Sequence, residues 1–241
     1  MDYSVSYHPI SVEQMREWYF DVFEDMGAVE SLRLKIPEKQ LKKHTLEELE
    51  TYYKDKYISI MKRSRELDYE SFNKWHGYFI AIAQGFFETF YFVQGSAISS
   101  IIDTAFHDTY VTDWADVIPS DYLDGMQVSN KIEGAFSAGA YISAAQVKKL
   151  LADYKKDDEI KDLLDAQFEG RKIDVFLAAL KYASENDQGL LEATKVIEQS
   201  SELFEEPSCF SNSFNCDVIS AAVYTSDLAA HFDEIYKGTG D

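Results

Sequence analysis

The sequence carries none of the short motifs that commonly mark an enzyme. Its 241 residues contain no G-x-S-x-G elbow, no Walker loop, no H-E-x-x-H helix, no C-x-x-C pair and no Rossmann glycine run. These absences weaken the case for the common hydrolases, kinases and dehydrogenases. They do not exclude an enzyme, because many active sites have no local motif.

Glycine and proline are also scarce, at 11 and 4 residues, whereas hydrophobic residues make up 46% of the chain. This composition excludes collagen-like, low-complexity and intrinsically disordered proteins, which lack the apolar surface that offsets the entropy of ordering. The length suits one large domain or two small ones. Because no proline-rich linker and no repeat interrupts the chain, we expect a single globular domain over residues 1–241.

Only two cysteines are present, Cys209 and Cys216, with six residues between them. A disulfide between them is conceivable, but two cysteines in a chain of this size do not form a secreted disulfide scaffold. We therefore expect free thiols in a reducing cytoplasm. Together with His231 they would give only three zinc ligands without the usual close pairing, so we expect no metal site there.

No targeting or membrane segment is expected. The first residues lack a basic segment followed by an apolar run, so no signal peptide is predicted. The most apolar window, residues 79–93, is shorter than the roughly 18–20 residues of a membrane span, and it contains Gln84 and Glu88.

Positive charge is the largest deficit, with 23 Lys and Arg against 43 Asp and Glu, a net charge of −20. Binding to a nucleic-acid backbone relies on Lys and Arg that displace counterions, so direct nucleic-acid binding is disfavoured. An acidic protein is also repelled by anionic membrane leaflets. We predict neither a nucleic-acid ligand nor a membrane partner, and nothing in the sequence indicates a cofactor.

The deficit is concentrated between Lys74 and Lys131, where no Lys or Arg occurs. Six aspartates follow one another in that interval: Asp103, Asp108, Asp113, Asp116, Asp121 and Asp124. Their spacing and the missing loop glycine do not fit an EF-hand, so we expect no calcium site. The carboxylates are then solvated, reserved for a partner, or paired with bases of residues 31–70, such as Arg63 and Arg65; that segment has a net charge of +2.

Aromatic residues lie among these acids and could supply the anchor of an interface. Carboxylates steer a cationic partner to the surface, and a central aromatic side chain prolongs the complex. The sequence therefore predicts a partner-binding surface formed by Asp103, Asp108, Tyr110, Asp113, Trp114, Asp116, Asp121, Tyr122 and Asp124.

These features favour an acidic cytoplasmic protein that sequesters or inhibits a basic protein partner, as an immunity protein or antitoxin does. A second version of the hypothesis is mimicry of nucleic acid by regularly spaced carboxylates. The plain alternative is that the acidity serves solubility alone.

An enzyme is the alternative of a different class, with a cleft near His76 and Glu88 and further polar groups from residues 212–217. His76 would act as a base or a ligand. If these residues serve only the structure, His76 is a core histidine bonded to Asn73 or to a backbone carbonyl. Gln84 is then the partner of a buried Glu88.

Local patterns predict an α+β fold that is predominantly helical. Capping boxes begin helices at Ser11 and Thr45, and Ser143 caps another helix. A central helix, apolar on all sides, is predicted within residues 72–93. Short strands are predicted at residues 3–7, 190–197 and 218–224, a loop at 199–217, and a terminal helix at 227–236.

Overall fold

A computed structural model describes residues 4–36, 38, 40–67, 71–198, 208–220, 222 and 223. It confirms the predominantly helical α+β fold. The strands are β1 (Ser4–Ile10), β2 (Tyr91–Gln94), β3 (Ala138–Ile142), β4 (Gly189–Thr194), β5 (Ile197–Glu198) and β6 (Ser208–Cys209). The helices are α1 (Val12–Met15), α2 (Asp21–Glu24), α3 (Leu46–Glu66), α4 (Lys74–Phe87), α5 (Thr104–Tyr110), α6 (Ala144–Tyr154), α7 (Asp158–Gln167) and α8 (Lys172–Glu185).

Four strands form an antiparallel sheet in the order β2-β1-β4-β3, and β5 pairs with β6 in a second, two-stranded sheet. The larger sheet is covered on both faces. Helix α4 packs on one face, with α3 packed against α4, and α6 and α8 pack on the other face. Because both faces are covered, every residue of β1, β3 and β4 is buried, and buried positions do not alternate with exposed ones.

Strand β1 continues through Pro9, where the sequence predicts a break after Tyr7. Its pairing with β2 ends at Tyr7, whereas its pairing with β4 continues to Ile10. Proline lacks an N–H, and it is tolerated where a strand has no neighbour on one side. Pro9 lies in such a stretch.

The predicted capping boxes at Ser11 and Thr45 are present. Ser143, predicted as a cap, is the N-cap residue of α6, and its N–H donates to the Gln146 side chain at 3.0 Å. The box at Ser11 begins α1, which passes through a π-helical turn, Arg16–Phe20, into α2. The helical stretch ends at Glu24 and is followed by a 3-10 helix, Met26–Ser31.

The apolar segment 72–93 is divided, where the sequence predicts one helix. Helix α4 ends at Phe87, and the chain then forms strand β2. Twelve of the fourteen residues of α4 are buried. Tyr91, Phe92 and Val93 of β2 are aromatic or β-branched and fit a buried strand as well as a helix, so periodicity alone does not separate the two.

The C-terminal third differs most from the prediction. Residues 218–220, 222 and 223 are helical rather than extended. The predicted terminal helix at 227–236 lies outside the described residues, as do residues 199–207 of the predicted loop. The described part of that loop contains β6 and a 3-10 turn, Ser213–Asn215.

Candidate functional site

All six aspartates of the 103–124 interval are exposed, and we call them the acidic surface: Asp103, Asp108, Asp113, Asp116, Asp121 and Asp124. Two of them also begin local structure. The Asp103 carboxylate accepts hydrogen bonds from the backbone N–H groups of Ala105 and Phe106, at 2.8 and 3.3 Å, and so caps α5. Asp113 accepts from the N–H of Ala115 at 2.9 Å and caps a short 3-10 turn.

Bases of residues 31–70 do not neutralise the acidic surface in the part of the chain that the structure describes. No Lys or Arg nitrogen there lies within 4.0 Å of these six carboxylates. Lys35 instead lies 3.7 Å from Glu88, and Lys54 lies 2.7 Å from Glu30. Arg63 and Arg65, the bases that the sequence suggested as partners, form no ion pair with the acidic surface.

The aromatic residues of the interval lie mostly inside the protein. Trp114 is 1% exposed, and its indole N–H donates to the carbonyl of Gly139 at 3.1 Å. Tyr110 is 3% exposed, and its hydroxyl donates to Asp153 at 2.7 Å. Only Tyr122 is half-buried. Trp114 and Tyr110 therefore fix the acidic segment to the core and do not project toward a partner.

An exposed aliphatic residue, which the sequence reasoning missed, lies beside the acids. Ile102 immediately precedes Asp103 and is 97% exposed, the most exposed large hydrophobic residue in the described chain. It stands just before the N-terminus of α5, whose cap directs the chain out of the core. No periodic pattern marks a single residue in this position, so the sequence offers no signal for it.

A shallow, open depression of about 500 Å³ lies within the acidic surface. Asp108, Asp113 and Asp116 line it, together with His107 and Asn130. Among the described residues, no group of three or more His, Cys, Asp or Glu side chains is arranged to hold a metal ion.

His76 and Glu88, the residues of the alternative enzyme hypothesis, lie at opposite ends of α4. Twelve residues of helix separate them by about 18 Å, because each residue adds about 1.5 Å. His76 is fully buried, and its Nδ1 accepts the backbone N–H of Asn73 at 3.1 Å. Burial lowers the pKa of His76 to about 4. Glu88 accepts from the Tyr182 hydroxyl at 2.6 Å. The two side chains do not share a cleft.

Gln84 and the residues near 212–217 also have structural partners. The Gln84 amide contacts His8 at 2.8 Å and donates to the Pro9 carbonyl at 3.0 Å; it does not bind Glu88. Asn212 and Asn215 donate to the carbonyl of Lys35, at 3.3 and 3.2 Å. These amides join chain segments across the interior.

Cys209 and Cys216 are free thiols. Both pack in a small apolar cluster with Phe90, Phe92 and Ile197. Burial raises the pKa of the Cys209 thiol to about 11. A thiol that stays protonated at neutral pH is a weak nucleophile, so this cluster does not provide an activated cysteine.

No helix in the described part of the chain is both long and apolar enough to cross a membrane. Comparison with protein-family models, with curated protein sequences and with solved structures finds no match to this chain.

Proposed function

We propose that this protein binds a basic protein partner through the acidic surface and thereby sequesters or inhibits it, in the manner of an immunity protein or antitoxin. The observation that carries the proposal is the state of the six aspartates. They are exposed, and none has a basic neighbour within ion-pair distance among the described residues. Unpaired carboxylates of one sign attract a cationic partner and accelerate its association.

Ile102 replaces Trp114 as the anchor in this proposal. A fully exposed aliphatic side chain gains the most when a partner removes it from water, about 25 cal/mol per Å² of apolar surface. The adjacent Asp103 and the other carboxylates of the acidic surface would meet Lys or Arg side chains of the partner. The interface would then combine an apolar anchor with charged contacts.

The partner's compartment is part of the same proposal. Two free thiols suit a reducing cytoplasm, in which an inhibitor would meet a basic enzyme as soon as both are synthesised.

The test reverses charge on the acidic surface without disturbing a helix cap. Asp108 and Asp116 line the depression and make no described side-chain hydrogen bond, whereas Asp113 caps a turn. The double variant Asp108→Lys, Asp116→Lys is compared with Asp162→Lys, Glu169→Lys, which changes the net charge by the same amount at exposed positions outside the acidic surface. Both variants should melt within a few degrees of the wild type, because they replace exposed side chains.

Each form is immobilised, and captured host proteins are identified by mass spectrometry at low salt and at about 0.5 M salt, where exposed charges are screened. We expect the wild type and the control variant to capture one basic protein, and the variant Asp108→Lys, Asp116→Lys to capture none of it. The amount captured should fall at high salt. Ile102→Ser should release the same protein faster without a change in stability. Capture that is equal for all variants, or that selects no basic protein, would contradict the proposal.

A further inference from the structure

A second concave feature lies between α3 and α4, and we call it the aromatic groove. It has a volume of about 340 Å³ and is lined by five aromatic rings, three aliphatic side chains and a single charged residue, Arg63. Its α4 wall consists of residues 75, 78, 79 and 82, which share one helix face. Small-molecule sites have this composition: an apolar, ring-lined cleft with a few polar groups that orient the ligand.

The backbone is strained where it holds one of the rings. Phe136 has φ of +56°, in the left-handed region that side chains other than glycine rarely adopt. Its ring stacks on Trp75 at 6.1 Å between centroids and meets Tyr78 edge-on at 5.6 Å. Lys195, whose φ is +57°, places its ammonium 5.6 Å above the Phe136 ring. Such strain costs of the order of 1–3 kcal/mol and is typical of residues that shape a binding site.

Charge at the groove indicates the sign of an occupant. Lys195 and Lys74 already lie over the faces of Phe136 and Trp75, so a cationic ligand would be repelled there. The nearby Glu198 lies 3.5 Å from Lys195 and is neutralised by it. Arg63 is exposed and forms no ion pair with any described residue. Among the described residues, the uncompensated charge at the groove is therefore positive: the Arg63 guanidinium in its lining and the Lys74 ammonium over Trp75.

We propose that the aromatic groove binds a small apolar molecule with a single carboxylate, whose apolar part lies among the rings and whose carboxylate pairs with Arg63. Guanidinium and carboxylate form two parallel hydrogen bonds, which fix the orientation of the ligand as well as its charge. The site is separate from the acidic surface and does not depend on the proposed partner.

Trp75 provides a local signal for the test. It is half-buried in the groove, whereas Trp18 and Trp114 are buried elsewhere. Decanoate, decanol and decyltrimethylammonium each contain a linear chain of ten carbons, and their head groups are anionic, neutral and cationic. We expect saturable quenching of tryptophan fluorescence by decanoate below its aggregation concentration, weaker binding of decanol and none of decyltrimethylammonium. Trp75→Phe should remove the signal while calorimetry still detects binding.

Three variants test whether binding depends on the charge of Arg63 and on the ring of Phe136. Arg63→Met keeps the apolar stem and should weaken decanoate about tenfold, equivalent to about 1.4 kcal/mol, with little effect on decanol. Lys62→Met removes a neighbouring exposed charge outside the groove and should leave affinity within about twofold, as expected for a screened surface charge. Phe136→Gly suits the positive φ, so it should fold and still lose binding.

Three results would overturn the proposal. The first is the absence of saturable decanoate binding in the wild type. The second is equal binding of the three amphiphiles, or a preference for the cation. The third is an Arg63→Met variant that binds decanoate as the wild type does.

Discussion

Buried histidines should make this protein unfold more readily as the pH falls from 7 to 5. His76 is fully buried, and its ring lies against Phe72, Phe23 and Tyr19, at 5.3, 5.8 and 6.5 Å between centroids. None of these neighbours carries a charge to stabilise an imidazolium. Burial accordingly lowers the pKa of His76 from 6.5 to about 4.

His8 is a second such group. It is buried between Gln84 and Ser6, with 2.8 Å contacts to both, and it stacks on Phe90. Burial lowers its pKa to about 4 as well.

The sign follows from proton uptake. Between pH 6.5 and 4 the unfolded chain binds a proton at each imidazole, whereas the native protein does not, so stability is lost as the pH falls through this window. At pH 5 the loss relative to pH 7 is about 2 kcal/mol for each histidine, or about 4 kcal/mol for both. Glu192 acts in the opposite sense, because burial raises its pKa and its buried charge becomes less costly in acid.

The variant His76→Gln separates the contribution of His76 from those of His8 and Glu192. His76 occupies the N3 position of the α4 capping box, where its Nδ1 accepts the Asn73 N–H. Gln is an ordinary N3 residue of such a box, so His76→Gln keeps an acceptor at that position and cannot titrate. His8 and Glu192 contribute equally in both proteins and cancel in the comparison.

Free energies of unfolding are measured with urea at pH 7, 6 and 5. Between pH 7 and 5 we expect His76→Gln to lose about 2 kcal/mol less than the wild type, whatever its stability at pH 7. His44→Gln, at an exposed position, serves as the matched control and should follow the wild type. If the curves of His76→Gln and the wild type run parallel, the reasoning about the buried ring is refuted.

Three further substitutions test the packing around the sheet, each by urea unfolding. Glu192→Gln should lower the free energy of unfolding by about 1–3 kcal/mol, because both oxygens of the buried carboxylate accept hydrogen bonds and the amide NH₂ would face backbone N–H groups. An unchanged midpoint of urea unfolding would contradict this. Gly77→Ala should destabilise by about 1–3 kcal/mol although Ala favours helices, because its Cβ would overlap that of Ala138; Gly27→Ala, with only a side-chain carboxylate nearby, is the tolerated control. Lys56→Met should cost about 1–3 kcal/mol by leaving two backbone carbonyls of the β6 region without their donor, and equal stability would show that water replaces it.

Local signals were the predictable part of this fold. A capping box involves side chains and N–H groups three residues apart, and both predicted boxes form. Ser143, predicted as a cap, begins α6 for the same local reason. The π-helical turn and the strand passage through Pro9 depend on what packs against them, and local pattern does not contain that information.

The composition of the candidate site depends on contacts between residues that are far apart in the sequence. From its acidic neighbours, Trp114 is predicted to be an exposed anchor. Its indole N–H instead donates to the carbonyl of Gly139 on β3, and the side chain is buried. The aromatic groove combines residues of α3 and α4 with Phe136 and Phe210, which are separated by more than fifty positions from the helix residues that line the groove with them. No spacing rule brings such residues together before the topology is known.

The charge distribution of the protein follows from the cost of burying an unpaired charge. A chain with a net charge of −20 must keep most carboxylates in water, since an unpaired buried charge is costly. Among the described residues, the acidic surface meets this requirement without a base within ion-pair distance, whereas Lys35 and Lys54 pair with acids elsewhere and Arg63 stays unpaired. The fold thus separates an anionic surface from a groove with a cationic rim, so that ligands of opposite charge would be directed to different places. Salt should weaken the first interaction strongly and the second less, because the rings of the groove bind through apolar contact.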